Sequence, residues 1–196
     1  MQPWLIVGLG NPGGKYAAHR HNVGAMSLAV LAAEAGAQLK AHKTRSSLAQ
    51  VRIGVLPGGM PGPPAILVQP QTYMNLSGGP VASAASFFSI PIERIVVLHD
   101  ELDIDFGTVR LKRGGGEGGH NGLRSITSAL GTREYARIRL GVGRPPGRQD
   151  PADYVLSNFP ARDSEEVALL VADGADAAQS LVHDGLEAAQ QRFHSR

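Results

Sequence analysis

Five polar side chains stand where predicted strands or loops of this chain end, and their chemical types suit hydrolysis. His21 precedes the first predicted helix, whereas Asn11, Asn75, Asp100 and Asn121 each follow an apolar run or a glycine-dense loop. Because ligands of open α/β sheets bind outside the carboxyl ends of the strands, we expect these side chains to lie close together.

The chemistry that such a set supports is attack by an activated water. His21 is the one group placed there whose ordinary pKa lets it act as a base near neutrality. A carboxylate such as Asp100, bonded to one ring nitrogen, fixes the tautomer and leaves the other nitrogen to take a proton. Asparagine amides can hold a peptide-like substrate or donate to a developing oxyanion. No G-x-S-x-G motif is present and Ser77 lacks that pattern, so water is the expected nucleophile.

A metal site is the competing chemistry. No segment has a strong metal-ligand spacing, but zinc or manganese could be held by a combination of side chains from His19, His21, His120, Asp100, Glu101 and Asp103.

A dinucleotide cofactor is not expected, although Gly8-x-Gly10-x-x-Gly13 fits the fingerprint. The fingerprint needs a helix that opens on the glycines and an acidic residue after the next strand. Here the loop continues through Gly14, and the next acidic residue, Glu34, falls inside the first predicted helix.

Composition favours one cytoplasmic domain over residues 1–196. The chain is 42% hydrophobic and has no cysteine, which excludes disulfides and thiolate zinc sites. No apolar run approaches a membrane span, and no basic region precedes the first strand, so we expect neither a membrane segment nor a signal peptide.

The charge is unevenly distributed along the chain. Residues 161–196 carry a net −4 and residues 1–160 a net +6. Between Arg110 and Arg148 nine basic residues are opposed only by Glu117 and Glu134. This excess is typical of a surface for a polyanionic partner, or of a solvated arginine-rich face.

Helical and apolar segments alternate, which predicts a single α/β domain with a twisted mixed sheet flanked by helices on both faces. The strand from Gly107 is expected to be antiparallel because no crossover precedes it. Three local features are also predicted. Asn22 should cap the first helix, His99 should face away from a site that contains Asp100, and Gly174 should separate two C-terminal helices.

Six segments together resemble the bacterial-type peptidyl-tRNA hydrolase family, in order and at the family's spacing, from about residue 4 to residue 160. They are GLGNPGGKY (8–16), RHNVG (20–24), PQTYMNLSG (70–78), HDELD (99–103), GGGEGGHNGLRS (114–125) and RLGVG (139–143).

The resemblance implies a phosphorylase/hydrolase-like fold, no metal or cofactor, and a monomer that cleaves the ester between peptide and tRNA. His21 would be the general base and Asp100 its partner. The tRNA acceptor arm and 3′ end would be the partner, with Lys112 and Arg139 binding phosphate. The peptide part and the 3′ end would contact the remaining residues: Asn11, Tyr16, Met74, Asn75, His120 and Asn121.

The resemblance also implies that the loop 114–119 and the segment 145–160 flex over the groove. Two alternatives stay open. A relative of the family serves as an RNA-binding module without turnover, and a metal-dependent hydrolase of small esters would use the histidines differently.

Overall fold

The computed structural model describes residues 1–195, whose strands form one seven-stranded sheet. The strands are β1 (Trp4–Gly8), β2 (Lys40–His42), β3 (Ser46–Arg52), β4 (Pro64–Pro70), β5 (Ile95–Glu101), β6 (Val109–Arg113) and β7 (Ala136–Gly141). The helices are α1 (Val23–Glu34), α2 (Gly78–Phe87), α3 (Asn121–Leu130), α4 (Pro151–Val155), α5 (Ser164–Asp184) and α6 (Leu186–His194). Short 3₁₀ turns precede α1, α2, β5 and α5.

The strand order is β2-β3-β4-β1-β5-β7-β6, with β1 near the centre. The four central strands β4, β1, β5 and β7 are parallel, and β2, β3 and β6 add antiparallel pairs at the two sides. Central strands are buried on both faces, which is why their sequences read as continuous apolar runs. The mixed α/β sheet is confirmed, and the strand predicted from Gly107, now β6, is antiparallel to β7.

Two apolar cores cover the two faces of the sheet. One face packs α1, α5 and α6 through residues such as Leu28, Leu170 and Phe193. The other packs α2 and α3 through residues such as Val81 and Ile126. Within residues 1–195, no helix combines the length and apolar character that crossing a bilayer requires.

The predicted break at Gly174 is wrong, because α5 runs without interruption through it. Gly174 is buried, and a Cβ there would lie 2.5 Å from Ser27 Oγ and 2.8 Å from Leu140 Cδ2. The glycine therefore serves close packing of α5 on α1 and β7. The helix ends instead at Gly185, whose φ of +89° favours glycine.

Gly174→Ala tests this packing role because two effects oppose each other. Alanine favours a helix interior over glycine by about 1 kcal/mol. Overpacking against Ser27 and Leu140 costs about 1–3 kcal/mol. We expect a net loss in the free energy of unfolding, measured by urea denaturation; a gain in stability would show that the space around Gly174 can accommodate a methyl group.

Candidate active site

The side chain of Asp100 lies buried between two imidazoles. Its Oδ2 accepts from His21 Nδ1 at 2.8 Å, and its Oδ1 accepts from His120 Nε2 at 2.7 Å. The carboxylate is 4% exposed, and both rings are largely buried. Both oxygens thus accept from imidazole N–H groups, which requires the proton on Nδ1 of His21 and on Nε2 of His120.

His21 reaches Asp100 because the start of α1 sits directly on β5. Gly24 makes this possible, since a Cβ at that position would overlap the carbonyl oxygen of Leu98. Ala25 N–H also donates to Leu9 O at 3.0 Å, which ties the helix to the end of β1. The 3₁₀ turn Arg20–Asn22 therefore delivers His21 to the carboxyl end of β5.

His120 has a fixed tautomer because its other nitrogen caps α3. Its Nδ1 accepts from the backbone N–H groups of Gly122 and Leu123 at 3.1 and 3.3 Å. A nitrogen that accepts cannot carry the proton, so in the neutral ring Nε2 donates to Asp100. The ring thus joins a buried carboxylate to the start of the helix that carries Asn121.

Asp100 and His21 shift each other's pKa in opposite directions. Burial lowers the pKa of His21, but the charge and hydrogen bond of Asp100 outweigh it and raise the pKa above 6.5. For Asp100, burial raises the pKa, yet both imidazoles more than reverse this and hold it far below its usual range. The carboxylate is therefore ionised, and its charge favours the protonated form of His21. No hydrogen bond to His21 Nε2 is found among residues 1–195.

His99 lies behind the pair and does not border the cleft. Its Nδ1 donates to Asp100 O at 2.7 Å, and its ring meets the His120 ring edge-on at 5.1 Å. Burial and the neighbouring His120 lower its pKa to about 3, so the ring stays neutral.

Asn22 stands at the N-cap position of α1, but its side chain does not make the predicted capping hydrogen bond and instead holds the backbone of Asn11. Asn22 Oδ1 accepts from Asn11 N–H, and Asn22 Nδ2 donates to Asn11 O, both at 2.9 Å. Asn11 Oδ1 accepts from Met74 N–H at 2.7 Å. With its oxygen engaged, the Asn11 side chain keeps its amide hydrogens for another acceptor.

Asn75 and Asn121 are exposed and border one shallow depression, together with Arg124 and Ser125. Asn121 also borders the cleft that contains His21, Asp100 and His120. Asn121 is therefore common to the depression and the cleft, whereas Asn75 borders the depression alone, and a shared role in substrate binding stays a prediction. The buried Ser77 hydroxyl donates to Met74 O at 2.7 Å, which leaves it a structural role.

Tyr16 and Met74 are placed differently from each other. The Tyr16 ring packs edge-on against His19 and the exposed Tyr73, at 5.4 and 6.2 Å. Met74 is buried in the α2–α3 core, and its backbone N–H holds Asn11. Neither side chain borders the cleft or the depression formed by Asn75 and Asn121.

Lys112 and Arg139 lie on one face of the β6–β7 ladder. Lys112 is opposite Arg137 and Arg110 is opposite Arg139, so the four cations share that face. Burial and the neighbouring arginines lower the pKa of Lys112. The nearest carboxylate contact, Arg139 to Glu101, spans 4.0 Å. This face thus keeps excess positive charge.

Arg137 is a residue whose role sequence reasoning missed. It is fully buried, and its Nη1 and Nη2 donate to Gly116 O and Gly115 O at 2.6 and 2.8 Å. It thereby anchors the glycine-rich loop that leads to His120. The alternation in ARIRLG indicated a strand, but nothing in it distinguished Arg137 from Arg139.

Arg20, also missed, joins the His21 turn to the far wall of the cleft. Its Nη1 donates to Ser157 Oγ at 2.6 Å and Asn158 O at 2.9 Å, and more weakly to Tyr154 O and Ser157 O. Its guanidinium stacks 4.0 Å from the Tyr154 ring centroid. The segment held in this way lines the cleft with the apolar residues Pro151, Ala152, Val155 and Leu156.

Three side chains here could hold a metal ion. One ligand atom each from His21, Asp100 and His120 lies within 4.8 Å of the others. His19, Glu101 and Asp103 fall outside this group; Asp103 pairs with Arg144 at 2.7 Å. A metal would have to displace the protons that both rings direct at Asp100. Independence from metal stays a prediction.

Such a site, at the carboxyl edge of a mixed sheet and without a serine positioned for attack, is that of an α/β hydrolytic enzyme that activates water. The family model described as peptidyl-tRNA hydrolase matches residues 5–196. The chain therefore belongs to the peptidyl-tRNA hydrolase family, and the resemblance drawn from the six motifs is confirmed.

Individual relatives agree. The peptidyl-tRNA hydrolase of Kineococcus radiotolerans is 58% identical over 98% of this chain and 97% of its own. The peptidyl-tRNA hydrolase of Frankia alni is 55% identical over 98% of this chain and 94% of its own. The crystal structure of peptidyl-tRNA hydrolase from Acinetobacter baumannii is 36% identical and superposes with a TM-score of 0.84, covering 98% of this chain and 94% of that one.

The effect of Asp100 on His21 can be measured by an NMR titration of the imidazole Cε1–H signals. In the wild type we expect the His21 midpoint to lie above 6.5. In Asp100→Asn burial remains and the carboxylate charge is lost, so the midpoint should move to lower pH. His99 serves as the internal control, because its signal should not titrate between pH 5 and 8. An unchanged His21 midpoint in the variant would contradict the assignment.

Proposed function

We propose that this chain hydrolyses the ester bond between peptide and tRNA in peptidyl-tRNA, releasing free tRNA. The observation that carries the proposal is the His21–Asp100 pair, 2.8 Å apart, beside a cleft on which Asn121 also borders. Membership of the peptidyl-tRNA hydrolase family supports the choice of substrate.

His21 acts as the general base. Asp100 accepts a hydrogen bond from the protonated Nδ1 of His21, so Nε2 presents a lone pair to a water molecule. The water oxygen attacks the ester carbonyl carbon as its proton passes to Nε2, and the carbonyl π electrons move to the oxygen. The imidazolium that forms is stabilised by the ionised Asp100.

The intermediate then collapses towards products. The oxyanion re-forms the carbonyl, the bond to the ribose oxygen breaks, and that oxygen takes the proton from His21 Nε2. Amide hydrogens of Asn11, Asn75 and Asn121 bind the peptide part and donate to the developing oxyanion. Asn11 suits this role because three hydrogen bonds fix its orientation before substrate arrives.

The remaining contacts extend from this centre. His120 positions Asp100 and the start of α3. Tyr16 and Tyr73 form an aromatic patch for the peptide, with Met74 supporting it from within. Lys112 and Arg139, which share one strand face, bind phosphates of the acceptor arm. Contacts with phosphate position the tRNA without recognising its bases. The protein acts as a cytoplasmic, single-domain monomer over residues 1–196, without metal or cofactor.

His21→Ala should lose about 100-fold or more in hydrolysis of an N-acetyl-aminoacyl-tRNA, because the general base is removed. Wild type and variant are compared in excess chelator. His183→Ala is the matched control: that histidine lies on α5 and bonds Ile53 O, and its loss should leave the rate unchanged.

Two outcomes would contradict the proposal. A wild type that binds tRNA without turnover would be an RNA-binding module. A wild type that chelator inactivates and added zinc or manganese restores would place a metal on His21, Asp100 and His120.

Lys112→Ala should raise KM for a peptidyl-tRNA by about 3- to 10-fold and make the salt dependence of binding shallower by about one phosphate contact. Cleavage of a short peptidyl-nucleotide, which lacks the acceptor stem, should barely change. Arg113→Ala removes the same charge from the opposite face of β6 and is the control. Equal damage to both substrates would exclude a phosphate-binding role for Lys112.

A further inference from the structure

The two faces of the sheet differ sharply in charge. Helices α5 and α6, on one face, carry six Asp or Glu residues. Helices α2 and α3, on the other, carry none. Residues 35–92, which include β2, β3, β4 and α2, contain no acidic residue and four basic ones. Lys112 and Arg139 point from the same α2–α3 face, so positive charge extends beyond them.

A shallow groove, widely open to solvent, lies on this face between the β2–β3 turn and α2. It is bordered by Lys43, Thr44, Ala82, Ser83, Ser86 and Phe87. Phe87 is 49% exposed and lies beside hydroxyls and a cation, so part of its side chain is accessible to a ligand. Lys43 Nζ lies 4.6 Å from the centre of its ring, and the His42 ring meets it edge-on at 4.9 Å.

Arg45 adds a second cation at the end of the groove. Its guanidinium lies against Gly79 in the first turn of α2, where the helix dipole is itself positive. Its φ of +56° is strained for a residue with a side chain. No ion pair to Lys43 or Arg45 is found in the described part of the chain. The two cations thus lie towards opposite ends of α2, Lys43 beside Phe87 and Arg45 beside Gly79, and neither has a counter-charge.

The groove lies near the carboxyl ends of the parallel strands, as the active site does. Along the strand order, it lies on the β3 side of the active site, whereas Lys112 lies on the β6 side. Ser46 pairs with Pro70 at the end of β4, and Gln71 N–H donates to Arg45 O at 2.9 Å. Asn75 follows a few residues later. The active site at β4, β1 and β5 therefore separates this groove from Lys112 on β6. Five strand spacings lie between β3 and β6, roughly 24 Å.

We propose that the groove, together with Arg45 beside it, is a second RNA-binding surface, which takes a single-stranded ribose–phosphate segment with one base stacked on Phe87. The two cations neutralise phosphates, and the Ser83 and Ser86 hydroxyls suit phosphate or ribose oxygens. A half-exposed ring with a cation beside it is an arrangement on which unpaired bases stack. An acidic peptide would use the charges but gain little from the ring face.

Binding is measured by fluorescence anisotropy of a labelled octa-adenylate, as a function of salt, on the full chain. The Lys43→Ala/Arg45→Ala double variant should weaken binding, and its log–log salt slope should be shallower by about 1.4, or about 0.7 for each phosphate that the variant no longer neutralises. Phe87→Leu keeps an apolar side chain but removes the ring, and should weaken binding about fivefold or more without changing the slope.

Arg52→Ala is the matched control, because this exposed cation lies on β3 within the same acid-free segment but bonds Gly62 O, whereas Arg45 lies against α2. It should bind like the wild type. Thermal melting of all variants checks that they are folded. Because the probe carries no carboxylic ester between peptide and ribose, the result does not depend on whether the chain hydrolyses peptidyl-tRNA.

The RNA segment could belong to the bound tRNA or to a separate strand, and competition distinguishes the two. Deacylated tRNA that displaces the probe from the Lys112→Ala variant assigns the groove to the same tRNA. Probe and tRNA bound together assign it to a second RNA.

Three results would overturn the proposal: octa-adenylate binding that the double variant and Phe87→Leu leave intact, equal weakening by Arg52→Ala, or groove-dependent binding of a poly-glutamate peptide in place of the RNA.

Discussion

A carboxylate that is almost completely removed from water determines the arrangement of this site. An unpaired charge at that depth would be strongly destabilising, so Asp100 requires donors on both oxygens. His21 supplies one and His120 the other. Each imidazole is in turn positioned by the backbone. His21 is positioned by the close packing of α1 on β5, and His120 by the N–H groups of the first turn of α3. The base and its orienting acid therefore form one hydrogen-bonded unit with His120 and the first turn of α3, the helix that begins at Asn121.

The asparagines divide into a rigid and an adaptable group. Asn11 is buried and held at three points, so its amide hydrogens are aimed before any ligand binds. Such preorganisation is what makes a dipole effective against a charge that appears only in the transition state. Asn75 and Asn121 are exposed, and no hydrogen bond among residues 1–195 fixes their side-chain amides as Met74 fixes that of Asn11.

The central strands and the meeting of His21 with Asp100 could be predicted from sequence, because apolar runs mark buried parallel strands and their carboxyl ends converge. What could not be predicted are partners set by tertiary distance. Asn22 looks like a helix cap but locks Asn11, and Gly174 looks like a break but is a packing contact. Likewise Arg137 and Arg139 share one strand pattern, yet only the fold buries the first beneath the glycine-rich loop.

The bonds of Arg20 also bear on how this chain can diverge. Three of its four hydrogen bonds to the segment 154–158 go to main-chain carbonyls, which every amino acid possesses. The side chains of Ser157 and Tyr154 also contact Arg20, but the other residues of the far wall are held through their backbone. Residues there, Leu156 among them, can be exchanged over evolutionary time without releasing the wall from the histidine turn. Substrate preference could in this way drift at one side of the cleft while the reacting groups opposite keep their geometry.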